Sequence, residues 1–454
     1  MTSERASKTK IVATIGPASD DRPTLERMIE AGMNVARLNF AHGDFATHGA
    51  TIGAIRAAAE AVGRRVAILA DLPGPKLRIG QLAEQPIELA RGQRFTLAVG
   101  TFTGDATRAA TTFARLPEVV KPGDLIFLND GLVQLRVERI EGQDVHGEIV
   151  AGGPLLSNKG INLPDVDLGI GAFTERDREC LEIALSQRVD AIGQSFVQGA
   201  DDVLAVRSAA EATGGTPLIF AKIERAVALE RIDEILAVAD GIMVARGDLG
   251  VEIPIERVAI AQKDLIGKAN LIRKPAITAT QMLLSMVESR RPTRAEATDV
   301  ANAILAHPVE AVRMLCRIAR VTEPRVVPRF GPAWREPTPE TASDAELVVA
   351  SVAHIAERTR PLGILVPSAT GGTARRMAAY RQPVWITAVS RSARTCQELQ
   401  FVYGVDPIHA IEAPDSWAEF ARRRFQDRGP GRVLLTQGTI GPAGGANRFE
   451  ILTL

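Results

Sequence analysis

Three apolar runs in this chain end on polar residues two positions apart, and such ends are where chemistry can reside. Phe220-Ala221-Lys222-Ile223-Glu224 closes one run with a lysine and a glutamate. In an extended strand, residues two apart point to the same side, so the ammonium and the carboxylate share a face. Met243-Val244-Ala245-Arg246-Gly247-Asp248 sets an aspartate and a tight glycine at the end of another run. Val35-Ala36-Arg37-Leu38-Asn39 again carries two polar residues in alternation. One such end reads equally well as a solvated terminus or a structural ion pair; three together favour a site. The chemistry they fit is a divalent-metal phosphate centre. Mg²⁺ takes few oxygen ligands from protein and completes its octahedron with substrate and water, so Glu224 and Asp248 suit the metal. Lys222 and Arg37 would neutralise charge spread over a phosphoryl group in transit. Gly247 would let backbone N–H groups approach an anion, such as a substrate carboxylate, at a helix start.

Elements that could hold these residues recur along the chain. Apolar runs at Lys10–Gly16, Asn34–Phe40, Val66–Leu72, Ala191–Phe196, Pro217–Glu224, Gly241–Gly250 and Lys274–Gln281 are predicted strands. Thr24–Ala31, Thr174–Gln187 and Ala200–Ala212 are predicted helices, and Thr174 with Asp177 has the spacing of a capping box. Strand–helix alternation with continuously apolar strands predicts a parallel α/β sheet. In a barrel of that kind the active residues come from the C-terminal strand ends.

The alternation stops between Pro73 and Ile170, where Lys121-Pro122-Gly123-Asp124, Asn129-Asp130-Gly131 and Glu141-Gly142-Gln143-Asp144 are turn signals. This stretch reads as an inserted β domain. Pro324 to Pro339 is a Pro-rich linker, followed by a helix over Ser343–Glu357 and strands at Leu362–Val366, Val384–Ala388 and Val433–Thr436. The expected fold class is therefore α/β: a TIM-type (β/α) barrel over residues 1–72 and 171–323, a β-barrel lid over 73–170, and a C-terminal α/β domain over 340–454.

Lys+Arg and Asp+Glu number 54 each in the 454 residues. No net field draws nucleic acid or an anionic membrane, so an anionic ligand must be held by local groups. Cys180, Cys316 and Cys396 are scattered and read as reduced thiols. A polar start from Met1 to Lys10, and the lack of any run long enough to span a bilayer, lead to a cytoplasmic expectation. The six histidines share no ligand spacing.

Long motifs then carry a resemblance. Thr9-Lys10-Ile11-Val12-Ala13-Thr14-Ile15-Gly16-Pro17-Ala18-Ser19 and Ala31 through Phe40 resemble the opening of the pyruvate kinase family. Asn158-Lys159-Gly160-Ile161-Asn162-Leu163-Pro164, Ala221 through Glu224, Gly241 through Pro254, Ala279 through Leu283 and Arg291 through Glu296 are similar to it in the same order. The resemblance implies transfer of the phosphoryl group of phosphoenolpyruvate to ADP, giving pyruvate and ATP. It implies metal carboxylates at Glu224 and Asp248, a transition-state lysine at Lys222 and a phosphate-binding arginine at Arg37. Gly247 and Thr280 would contact substrate, Arg78 and Lys159 the nucleotide. Mg²⁺, a closing lid and a homotetramer are further implications.

Three departures stand out. Of the family's four ligands for K⁺, Asn39 and Asp71 remain, while Ala41 and Leu72 replace the hydroxyl residues, Leu72 being expected to turn an apolar side chain toward the site; Gly74-Pro75-Lys76 replaces Gly-Pro-Glu. K⁺ independence is expected, with the Lys76 ammonium pairing with Asp71. Second, Leu305-Ala306-His307-Pro308 stands where the family has Asp-Gly, an apolar strand and Ser-Gly-Glu-Thr. The barrel is expected to lack its eighth strand, through a deletion, a misread gene or decay of a relative, and then to fold or turn over poorly. Third, Ser368, Thr370 and Thr373 lie in a turn similar to one that holds sugar-phosphate effectors in relatives; an ordinary β–α turn fits equally well. Two other functions remain open: a Mg²⁺-dependent enolate lyase on a barrel, which needs neither Lys159 nor Arg37, and a non-catalytic binding protein.

Overall fold

The computed structural model describes residues 7–164, 166–279, 282, 284–287, 293, 296, 308–323, 342–438 and 446–454. The chain opens with β1 (Ile11–Thr14), β2 (Met33–Asn39) and β3 (Ala67–Asp71). It leaves for β4 (Ile87–Leu89), β5 (Arg94–Val99), β6 (Arg108–Thr111), β7 (Leu125–Leu128), β8 (Val133–Glu141), β9 (Asp144–Ala151), β10 (Gly153–Leu155) and β11 (Ile161–Asn162). It returns with β12 (Ala191–Gln194), β13 (Leu218–Ile223), β14 (Gly241–Ala245) and β15 (Ala276–Ala279).

The returning strands join the first three in one parallel sheet of order β1-β2-β3-β12-β13-β14-β15. Two apolar clusters sort its faces. Val35, Ala67, Leu69, Ala191, Phe220 and Met243 fill the inside of the curled sheet. Ala36, Leu38, Ile68, Ala70, Ile192, Ala221 and Val244 face the helical layer. Helix starts are specified locally: Asp21 accepts from the Thr24 amide at 3.0 Å, Asp44 from Thr47 at 2.7 Å, and Thr174 with Asp177 forms the expected capping box.

The barrel does not close among the described residues. β1 and β15 end the strand order, yet the helical layer runs past β15. The helix Pro308–Thr322 packs on β1 and on the helix Arg22–Ala31, burying Val309, Val312 and Leu315. Leu305, Ala306 and His307, where the eighth strand was expected to be missing, lie outside the described residues.

Turn chemistry shapes the inserted unit. Asn129, Asp130 and Gly131 have φ of 54°, 57° and 87°, the left-handed values a tight hairpin between β7 and β8 needs. Its main sheet has the order β11-β7-β8-β9-β5-β6. The last unit begins after the Pro-rich stretch, which lies outside the described residues. Its strands are β16 (Gly363–Pro367), β17 (Ile386–Ser390), β18 (Val405–His409), β19 (Arg432–Gly438) and β20 (Ala446–Thr453), in the order β18-β17-β16-β19-β20. The apolar-run criterion missed β18 and β20 because both are edge strands with much exposed surface. Among the described residues no helix is long and apolar enough to cross a membrane.

The N-terminal segment stitches this last unit to the barrel. Lys8 Nζ donates to the carbonyls of Gln382 at 2.8 Å and Pro383 at 3.1 Å, and Lys10 Nζ to that of Val405 at 2.6 Å. Phe401 enters the inner apolar cluster, its ring centroid 5.0 Å from that of Phe220. Burial depresses the Lys10 ammonium to about 8, more than Asp406 restores. The folded protein thus holds fewer protons than the unfolded chain between about pH 8 and the ordinary lysine range. Stability at this site is lowest below pH 8 and is recovered as pH rises. Lys10→Met removes the buried charge, so its stability relative to the parent should be highest below pH 8 and decline by pH 10.5. Denaturant midpoints of the two proteins across that range test this; a constant difference would refute it.

Candidate active site

The two-residue period of the strands carries the inner face directly into a charged cluster. Beyond Val35 on β2 comes Arg37, beyond Leu69 on β3 comes Asp71, and beyond Phe220 on β13 come Lys222 and then Glu224. In a parallel barrel these positions meet at the C-terminal mouth. Lys222 Nζ lies 3.0 Å from Asp71 Oδ1 and 3.0 Å from Glu224 Oε1, and donates to Ser195 Oγ at 2.5 Å. Arg37 Nε donates to Asp71 Oδ2 at 2.8 Å, its Nη2 pairs with the same oxygen, and its Nη1 donates to Thr14 Oγ1 at 2.9 Å.

Backbone geometry brings these groups close. Gly193 lies against the Asp71–Lys222 ion pair: a Cβ there would sit in ordinary van der Waals contact, 3.4 Å from Asp71 Oδ1 and 3.7 Å from Lys222 Cδ. Phe196 has φ of 57°, which aims its N–H at Glu224 Oε2 at 2.8 Å. Ser195 Oγ donates to the Leu72 carbonyl at 2.6 Å. Thr14, Ser195 and the Phe196 amide were missed in the sequence reading. The signal for the last two was present, because they close the predicted run Ala191–Phe196 at the same end as the others.

Charge at the cluster is uneven. Burial alone would lower the Lys222 pKa, but Asp71 and then Glu224 outweigh it and hold it above the ordinary lysine value. Burial would raise Asp71; Lys222 and Arg37 hold it below the usual carboxylate range. Glu224 goes the other way. Its burial, with repulsion from Asp248 and Asp71, outweighs Lys222 and raises its pKa. Three carboxylates thus share two cations, and Glu224 is left short of positive charge.

Other expected residues fall as follows. The predicted run Gly241–Gly250 is not one strand: β14 stops at Ala245, and Gly247 and Asp248 lie in the first turn of the helix Arg246–Glu252. Asp248 lines a crevice between barrel and lid with Lys76, Asp130, Gly160 and Phe196. Arg78 and Lys159 are neighbours on the lid: Arg78 Nη1 donates to the Asn158 carbonyl at 2.8 Å, and the Ile79 amide to that of Lys159 at 2.9 Å. Thr280 lies outside the described residues.

Two expectations at the monovalent-cation remnant are corrected. Lys76 does not pair with Asp71; it is exposed at the crevice, and Asp71 is already held by Arg37 and Lys222. Leu72 does not turn its side chain toward the site but buries it in the strand–helix layer, as alternation from Asp71 requires. Asn39 Oδ1 accepts from the Ala41 amide at 3.1 Å. In the C-terminal turn, Ser368 Oγ accepts from the Gly371 amide at 3.0 Å, Thr370 is exposed and Thr373 is buried.

Comparison with known proteins agrees with this architecture. The model of the pyruvate kinase barrel domain matches residues 6–317, and that of the pyruvate kinase alpha/beta domain matches residues 346–452. A pyruvate kinase of Thermococcus litoralis is 46% identical over 420 positions, covering 88% of each chain. One of Geobacillus stearothermophilus is 42% identical over 474 positions, covering 98% of this chain and 80% of the relative. Pyruvate kinase PKLR of Rattus norvegicus is 40% identical over 457 positions, covering 93% and 78%. An alignment of 474 positions exceeds the 454 residues of this chain, so the Geobacillus protein has residues with no counterpart here. A parallel barrel with a charged C-terminal mouth, an inserted β unit and a C-terminal α/β unit, matched over nearly its whole length, belongs to the pyruvate kinase family.

Proposed function

We propose that this chain transfers the phosphoryl group of phosphoenolpyruvate to ADP, the pyruvate-forming step of glycolysis. The observation that carries the mechanism is the Lys222 ammonium held between Asp71 and Glu224 at the barrel mouth. The cluster's donor set fits Mg²⁺: Glu224 and Asp248 are hard oxygen ligands where negative charge is in excess, and two protein carboxylates suffice for this ion. Glu224 and Asp248 would hold Mg²⁺, whose chemistry there would be charge neutralisation of the bound substrate.

Arg37 orients and neutralises the phosphoryl group while Lys222 stabilises the charge that builds during transfer. The first-turn amides around Gly247 suit the substrate carboxylate, and Thr280 takes the substrate contact that family membership suggests. Arg78 and Lys159 hold the nucleotide from the lid, whose closure excludes water and protects the acceptor. Transfer leaves an enolate that is protonated to pyruvate. A cytoplasmic homotetramer is the assembly we expect. Pyruvate formation from phosphoenolpyruvate and ADP, with ATP measured in parallel, should require Mg²⁺ and cease with EDTA. Metal-independent turnover would overturn this reading.

We further propose that turnover needs no K⁺. Ala41 offers no side-chain oxygen, the Leu72 side chain points away, and Arg37 with Lys222 already neutralises Asp71. Lys76 then adds its charge at the crevice that Asp248 also lines, rather than at Asp71. Adding K⁺ to a K⁺- and Na⁺-free assay should change turnover less than about twofold, and Lys76→Glu should lower it about tenfold. Strong activation by K⁺ would sink the first claim, and full activity of Lys76→Glu the second.

A further inference from the structure

Ser195 stands where the barrel mouth, the connector to the lid and Lys222 meet. It directly follows β12, is 2% exposed, and its hydroxyl makes two short hydrogen bonds. It accepts from Lys222 Nζ at 2.5 Å and donates to the Leu72 carbonyl at 2.6 Å. Leu72 follows Asp71, itself a partner of Lys222, and opens the connector Leu72-Pro73-Gly74 through which the chain leaves β3 for the lid.

That connector lies directly on Ser195. Gly74 has φ of 66°, and a Cβ added there would stand 2.9 Å from Ser195 Cβ and 2.9 Å from Phe196 Cδ2, too close without displacement. The Gly74 amide donates to Asp177 Oδ1 at 2.8 Å. Asp177 is fully buried, and its other oxygen accepts from the Thr174 amide at 2.8 Å and hydroxyl at 2.6 Å in the cap of the helix Glu175–Ser186. The connector is thus gripped by a helix cap on one side and by Ser195 on the other. Phe196, the next residue, donates its amide to Glu224 Oε2 at 2.8 Å.

An ammonium group has three N–H donors. Those of Lys222 have three partners: Asp71 and Glu224, each at 3.0 Å, and Ser195. The two carboxylates neutralise the charge; the hydroxyl does not, so it can direct one N–H without competing for the charge that phosphoryl transfer would use. We infer that Ser195 is a positioning residue that couples the lid connector to Lys222. Movement of Leu72–Gly74 with the lid shifts the hydroxyl, and with it the direction of the ammonium. Its catalytic consequence rests on the phosphoryl-transfer reading, whereas the coupling itself rests on geometry.

Two measurements test it. In steady-state assays Ser195→Ala should lower kcat about tenfold with KM for phosphoenolpyruvate within about twofold of the parent. Gly74→Ala, which drives a methyl group against Ser195, should lower kcat by about the same factor alone. Added to Ser195→Ala it should cost only about threefold more, because the link through which it acts is gone. An unchanged kcat in Ser195→Ala, or losses that multiply in the double variant, would overturn the inference. Hydrogen–deuterium exchange read by mass spectrometry needs no turnover, and coupling must act in both directions. In Ser195→Ala and in Lys222→Met the peptide over residues 72–77 should exchange about fivefold faster than in the parent, with peptides from β16 unchanged. Unchanged exchange at 72–77 in Lys222→Met, or acceleration shared equally by β16, would overturn the coupling. If exchange follows the expected pattern but the parent forms no pyruvate, the coupling stands and the catalytic reading falls.

Discussion

Lys222→Met is expected to lower kcat by about a thousandfold while KM for phosphoenolpyruvate changes less than about threefold. A factor of that size corresponds to roughly 4 kcal/mol of transition-state stabilisation, the scale of one well-placed charge in a water-excluded site. Ground-state binding should survive because Arg37, the Gly247 turn and the carboxylates proposed for the metal remain. The substitution also touches stability. Asp71 keeps Arg37, but Glu224 loses its partner 3.0 Å away, and stripping one member from a buried pair costs about 3–5 kcal/mol. The assay therefore belongs well below the variant's melting temperature, with circular dichroism showing a folded state. Lys222→Arg separates the effects: it keeps a positive charge near both carboxylates and should restore much of the stability without restoring kcat. A variant with normal kcat and raised KM would remove Lys222 from the transition state and leave it a binding residue.

Insertion of a family-like segment between Leu305 and Pro308, comprising Asp-Gly, a five- or six-residue apolar strand and Ser-Gly-Glu-Thr, is expected to raise both melting temperature and turnover. Among the described residues no strand pairs with the outer edges of β1 and β15, and an unpaired edge leaves backbone groups without partners. For the five- or six-residue strand alone, backbone ordering at about 1–2 kcal/mol per residue is offset by three or four newly buried side chains at about 1.5–3 kcal/mol each, and hydrogen bonds to both β1 and β15, about 0.5–1.5 kcal/mol each, are expected to leave a few kcal/mol of net stabilisation. For a domain of this size that is a rise of roughly 5–10 °C. Turnover should rise because closing the sheet fixes β1 and β15, and β1 carries Thr14, which holds Arg37. An unchanged melting temperature and rate would mean that the seven-stranded barrel is already self-sufficient.

Much of this was legible in the sequence because strand alternation is a local property. The charged ends at Arg37, Lys222 and Glu224 could be assigned to one barrel mouth once their apolar runs were recognised as parallel strands, since a two-residue period fixes which side each faces. Capping at Thr174 and the left-handed turn at Asn129 are likewise decided within a few residues. The family motifs pointed to the same positions.

What needed the tertiary structure was everything set by distance between strands. The loss of the family's K⁺ ligands suggested that Lys76 would meet Asp71, yet Asp71 faces the barrel interior, where Arg37 and Lys222 arrive from other strands first. Ser195 joins the cluster because β12 lies between β3 and β13 in the sheet, an order no local pattern encodes. Only the curled sheet brings β1 and β15, more than 260 residues apart in number, to the walls of one cavity. Side-chain direction is determined by neighbouring residues, whereas the partner a charge finds is determined by which strands the closing barrel sets side by side.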